Sequence, residues 1–236
     1  MTELLDLMPF EEVVALIALA TTWMGYPLYA DILGDKRRSL MTVMQQHRVL
    51  WMYQMLEREN RVVDTQIMSA IMRSVSLFST TSIFILAGLV TILGALDKAR
   101  DLVSNLPFTQ TASPMMWELK LLAMMFVFVY AFFKFAWSLR QFNYTIVMIG
   151  AAPDRLDADS PKARAYAEGA GKIVSLAVHN FNRGLRSYYF GMAMISWFVH
   201  PYLFCAMLVL VVGVLYRREF MSNTLRELDL TLHQIK

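Results

Sequence analysis

The chain has 236 residues, of which 57% are hydrophobic and only 17% charged, and its mean hydropathy is +0.43. A water-soluble domain carries about a quarter charged residues, so this balance excludes an ordinary soluble domain and points to an all-α integral membrane protein. The net charge of +3 lies on the flanks of apolar runs, which favours anionic membrane lipids over nucleic acid, and the single cysteine, Cys205, leaves no disulfide framework, no Cys/His metal spacing and no cofactor motif.

Four apolar runs predict about four transmembrane helices, at residues 12–31, 72–97, 117–142 and 187–216, in a single membrane domain covering 1–236. Each is long enough for a hydrocarbon core that takes about 20 helical residues. Lipid offers backbone groups no hydrogen-bond partner, and the short alternating segments of a strand barrel are absent, so the spans are expected to be helices. The chain opens with Glu3, Asp6, Glu11 and Glu12. A signal peptide opens with basic residues, so the first run reads as a retained span.

Between the first two runs, residues 38–60 form an amphipathic segment rich in Leu, Met and aromatics, with Gln45, Gln46, His47 and Arg48 at its centre. Such a helix lies along a membrane surface or packs on its neighbours. The second run opens with Ser74, Ser76, Ser79, Thr80, Thr81 and Ser82. Close helix packing is the first explanation for these hydroxyls, and a polar pathway the sharper one.

The third run is amphipathic within itself. At 100° per residue, Tyr130, Lys134, Ser138, Gln141 and Thr145 share one face, while Phe128, Phe132, Phe135, Leu139 and Phe142 share the opposite one. The phenylalanine face is expected to meet lipid. The polar face needs protein, water or a headgroup, since a bare charge at the bilayer centre costs at least ~2.5 kcal/mol. Lys134 has a second reading as a long side chain snorkelling to the interface. Arg140 reads as an anchor for phosphate, with Trp137 and Tyr144 as aromatic-belt residues beside it.

The next connection opens with AAPDRLDADSP, a loop signature, and Ser160–Pro161 then marks a helix start for an amphipathic segment over 160–183. Arg183 and Arg186 follow at the mouth of the fourth run, with Tyr188 and Tyr189 behind them. Together with the end of the third run they read as one cationic site, or as a basic flank with an aromatic belt. Inside the fourth run, His200 beside Pro201 reads as a satisfied core histidine at a kink. No acid stands ready to orient His200 for hydrolysis by Ser196, so an enzyme is disfavoured. The apolar cores of the four runs, 13–30, 74–96, 121–139 and 187–216, have no Asp or Glu; Glu12, Asp31 and Asp97 stand at borders, which disfavours a proton- or sodium-coupled carrier. The C-terminal amphipathic helix, 217–236, places Met221, Leu225, Leu228, Leu232 and Ile235 at 4-3-4-3 spacing. This seam serves either self-association or folding back on its own chain.

Lys and Arg number seven in residues 31–73, three in 97–120 and seven in 140–186. The positive-inside rule then puts both long connections in the cytoplasm and both termini outside. Arg217, Arg218 and Arg226 argue against this, and a break at Pro201 that returns the tail to the cytoplasm would accommodate them. The simpler four-span arrangement is the expectation.

FFKFAWSLRQFNY, GAAP at 150–153, NRGLRSYYF at 182–190 and LYRREFMS at 215–222 resemble an uncharacterised membrane family, domain of unknown function 599. The resemblance covers roughly the whole chain. It implies about four spans and a bacterial cytoplasmic (inner) membrane, and it brings no established activity. It directs attention to Lys134, Trp137, Arg140, Gln141, Arg186, Tyr189, Arg218 and Glu219. The functional expectation is a non-enzymatic, homo-oligomeric inner-membrane protein with a channel- or transporter-like cationic site for lipid phosphate or a small anion. Lys134, Arg140 and Arg186 would bind the anion, with Gln141, Ser138 and Tyr130 adding hydrogen bonds. The alternative is an accessory or scaffold subunit bound to another membrane protein.

Overall fold

The structure, a computed structural model, describes residues 9–36, 38–105 and 113–235. The acidic opening with Glu3 and Asp6 therefore lies outside the described residues, as does Arg37, and the side chain of Ile235 is not among those described. The described residues are helical and contain no strand.

Among the described residues eight α-helices follow in chain order: α1 (Phe10–Lys36), α2 (Leu40–Glu57), α3 (Val62–Gly94), α4 (Leu96–Ser104), α5 (Pro114–Gly150), α6 (Pro161–Ile195), α7 (Pro201–Phe220) and α8 (Asn223–Ile235). Their starts follow from local chemistry. Glu11 and Glu12 occupy the first turn of α1, where the helix dipole favours negative charge. Ser39 caps α2 by accepting from the Thr42 N–H, and the Thr42 hydroxyl answers the Ser39 N–H at 3.0 Å. Three helices open on proline at the first position, where no N–H is needed. Ser113 accepts from the Met116 N–H before Pro114, and Ser160 accepts from the Ala163 N–H before Pro161, as the sequence predicted. Before Pro201, His200 Nδ1 accepts from the Tyr202 N–H at 3.2 Å. His200 is half-buried and serves as a helix cap, not as a core histidine.

Three stretches are long and apolar enough to cross a membrane: Phe10–Leu33 of α1, all of α3 and all of α5. The run at 187–216, expected as one span, is not one helix. It begins inside the 35-residue α6, breaks in a 3₁₀ turn at Ser196–Phe198, and restarts as the 20-residue α7. Pro201 supplies the reason, since it cannot continue the hydrogen-bond ladder of α6.

The described residues divide into two units. The first takes residues up to Ile32, Thr81–Phe132 and Leu185–Tyr216. Its core gathers aromatic residues: Trp23 meets Phe126 and Tyr130 edge-on, Phe128 meets Tyr188 edge-on, and Trp197 stacks on Phe204. The Phe128 ring sits against Gly191, where a Cβ would come within 2.6 Å of it. The second unit takes Leu33–Thr80, Phe133–Gly184 and the chain from Arg217 onward. Here Phe135 packs with Phe78 and Phe181, and its ring lies where a Cβ on Gly184 would approach to 2.5 Å. Gly171 likewise lets α6 touch the backbone of α2 at Val49, 2.9 Å from where a Cβ would stand.

The heptad seam of α8 lies against its own chain. Leu232 is buried, Leu225 and Leu228 are half-buried, and Met221 is exposed. Arg38 pairs with Asp229, His47 Nε2 lies 3.1 Å from the Leu228 carbonyl, and Glu219 accepts from the Met41 N–H at 3.3 Å. These contacts tie the tail to α2 and to the residues that precede it.

Candidate functional site

Helix α5 has three faces, where its sequence suggests two. Phe128, Phe135 and Phe142, expected toward lipid, are at most 5% exposed. The polar stripe is inward as well: Ser138, Gln141 and Thr145 are buried and Lys134 is half-buried. The outward sector lies between them, with Phe126, Phe133, Trp137, Arg140, Tyr144 and Val147 all exposed. The physical reason is the pair of glycines on α6, which draw the phenyl rings inward by leaving room for them.

The stripe is organised by α6. Lys134 Nζ donates to Asn180 Oδ1 at 3.3 Å, and Asn180 Nδ2 donates to Gln141 Oε1 at 2.9 Å. Ser138 Oγ donates to the Ala177 carbonyl at 2.7 Å, and Thr145 Oγ1 donates to the Gln141 carbonyl at 3.1 Å. Arg183 stands one turn beyond Asn180 on α6. Both N–H groups of Asn180 are taken, by Gln141 Oε1 and by the Leu176 carbonyl at 3.1 Å. An anion placed there would meet Lys134 as a charge and Gln141 as a hydrogen-bonding group.

The other expected ligand residues go elsewhere. Arg140 is on the outward sector with Trp137 and Tyr144. Tyr130 and Arg186 belong to the first unit. Tyr130 packs on Trp23, while Arg186 lies 3.8 Å from Asp31 and 5.5 Å from the Tyr26 ring centre. Tyr188 exchanges a hydrogen bond with Ser82 at 2.9 Å, so this hydroxyl of the second run serves helix packing. Tyr189 is half-buried, Arg218 is exposed, and Glu219 holds the start of α2.

Two carboxylates, Glu12 and Asp64, are buried, where the sequence offered acids only outside the apolar cores. Glu12 is 4% exposed and Lys120 is 3% exposed. Lys120 Nζ donates to Glu12 Oε1 at 2.7 Å and to the Trp197 carbonyl at 3.1 Å, and Trp197 Nε1 donates to Glu12 Oε2 at 2.7 Å. This node joins α1, α5 and the 3₁₀ turn. Asp64, fully buried at the start of α3, accepts from Trp51 Nε1 at 2.6 Å and from Arg58. Hydropathy misses both: Glu12 stands at the edge of its run and Asp64 eight residues before the run that opens at 72, and the sequence does not say which way either points.

Near Asp64 a cleft of about 1390 Å³ is lined by Arg58, Arg61 and Arg155 together with Glu59 and Asp154. Its arginines have internal tasks. Arg61 donates to the carbonyls of Ile149, Ala152 and Pro153 and so caps the C-terminal end of α5, Arg58 holds Asp64, and Arg155 lies 4.0 Å from Glu59.

No curated protein and no solved structure matches the chain. A family model, described as protein of unknown function, DUF599, matches residues 14–224. That range takes in the Lys134 patch, the Glu12–Lys120 partners apart from Glu12 itself, the break at Pro201 and the Glu219 contact with Met41, and the chain belongs to the DUF599 family.

Proposed function

We propose that the protein is a non-enzymatic, multi-pass membrane protein that binds an anionic group, a lipid phosphate or a small anion in passage, between α5 and α6. The observation that carries this reading is the polar chain across facing helices in which Lys134 donates to Asn180 and Asn180 to Gln141, with Arg183 one turn along α6. A lysine and an arginine on this part of the helix pair suit an anionic oxygen. Arg140 and Arg186 are not part of this site.

The same reading has five passages, not four. The C-terminal part of α6 and the whole of α7 supply the last two, and α7 at 20 residues spans ~30 Å. The tail then ends on the side of the two long connections, which brings Arg217, Arg218 and Arg226 under the positive-inside rule. The contacts of Asp229, Glu219 and Leu228 with α2 and Arg38 support it.

The test compares the purified wild type with Lys134→Met and Arg183→Met in liposomes, by anion flux and by phospholipid retained through purification. Loss of either in both variants is expected, and unchanged values in both would overturn the reading. A cysteine-reactive tag on the C-terminus is expected to label from the cytoplasmic side only.

A further inference from the structure

Arg48 is a charge on the wrong face of its helix. It stands on α2 one and two turns before Met52 and Met55, which are fully buried, and is itself only 8% exposed. Guanidinium has five N–H donors and stays protonated. Among the described residues those donors make one hydrogen bond, from Nη1 to Ser175 Oγ on α6 at 3.5 Å, the outer limit of such a bond. Ser175 is a neutral partner, and its own hydroxyl donates to the Gly171 carbonyl at 2.8 Å. Every other buried cation described above has a carboxylate or several carbonyls close by. Burial lowers the Arg48 guanidinium to about 10, which leaves it charged at neutral pH.

Buried charges are paired or bound to something, because desolvation makes an uncompensated one costly. The planar fork of arginine matches the oxygens of phosphate two at a time. Helix α2 lies outside the three membrane-crossing stretches, directly after the basic end of α1, in the kind of flank where headgroup phosphate is concentrated. We infer that Arg48, with Ser175, forms a phosphate-binding site between α2 and α6, separate from the Lys134 patch. Its occupant is a phosphate group, carried either by an anionic lipid or free in solution.

The experiment uses the full chain in phosphate-free maltoside micelles, with thermal unfolding followed by tryptophan fluorescence. Inorganic phosphate is titrated in one arm and phosphatidylglycerol in the other. The melting temperature of the wild type is expected to rise in at least one arm. A rise with phosphatidylglycerol alone assigns a headgroup, and a rise with inorganic phosphate assigns the free ion. Arg48→Lys is expected to weaken the half-saturating concentration roughly tenfold, one charge-assisted bond lost. Arg48→Met is expected to abolish the rise while melting no lower than wild type without phosphate, because it removes a buried charge. Lys134→Met is expected to keep the rise, which separates this site from the proposed anion patch. The inference is overturned if neither arm shifts the wild type, if Arg48→Met and Arg48→Lys respond as the wild type does, or if Lys134→Met alone loses the response.

Discussion

Lys120 and Lys134 stand on the same helix, 14 residues or ~21 Å apart, and the structure treats them in opposite ways. Lys120 is 3% exposed and meets a carboxylate at 2.7 Å, a carbonyl and the face of Trp197. Lys134 is half-buried and donates to a neutral amide at 3.3 Å. The first contact is charge to charge, and the second is charge to amide. A lysine in an apolar run is therefore not a single kind of signal, and what it meets separates a clamp from the binding group proposed above.

The largest effect should come from breaking the clamp. Lys120→Met leaves Glu12 buried and without its cation, at a cost of about 3–5 kcal/mol in stability. Adding Glu12→Gln to it should restore much of that loss, read by thermal unfolding in detergent. If the double variant is no better than the single one, the ion pair is not what holds the node. A smaller loss is expected from the packing that positions the Lys134 patch. Gly184→Ala drives a methyl against the Phe135 ring and should cost about 1–3 kcal/mol, with phospholipid retention falling in parallel.

Lys134→Met sharpens the contrast directly. The bond it loses to Asn180 is one to an uncharged amide, worth about 1 kcal/mol, while on the proposed reading anion binding is lost. An unfolding effect as large as that of Lys120→Met would mean that the two lysines are alike after all. The smallest effect is a pH response. Burial lowers the folded pKa of Arg48 to about 10, so its unfolded form holds the proton more tightly. The burial cost is therefore fully present below the folded value and is relieved as pH rises between the two values. Binding of a phosphodiester through Arg48 should accordingly be flat from about pH 6 to 9 and fall above it, a range in which lipid phosphodiesters keep their charge.

Composition and hydropathy made the helical architecture, the three crossing stretches and the Ser160–Pro161 start legible, because each depends on local pattern. The grouping of Lys134, Ser138 and Gln141 was also legible, since helical periodicity alone puts them on one face. What they meet was not. Asn180 is one of two asparagines two residues apart in α6, and nothing in its neighbours marks it as the link between Lys134 and Gln141. The outward sector of α5 was misjudged for a related reason. Phenylalanine suits lipid and core equally, and the choice was made by Gly184 and Gly191, more than 40 residues away in the chain. Glu12 and Lys120 were each read as border charges because their pairing joins residues 108 apart.

The glycines have one more consequence. Gly184 and Gly191 are seven residues apart on α6, and Phe135 and Phe128 are seven apart on α5. Each ring fills a place where its neighbour has no side chain. A slide of α6 by one turn would offer the Phe135 ring Asn180 or Tyr188 instead of Gly184, and neither leaves room for it. These two helices are thus notched against axial sliding, as a key is held by its cuts. Any working motion of the protein has to be found in elements without such notches, and the non-helical residues around His200 are the nearest joint in the chain.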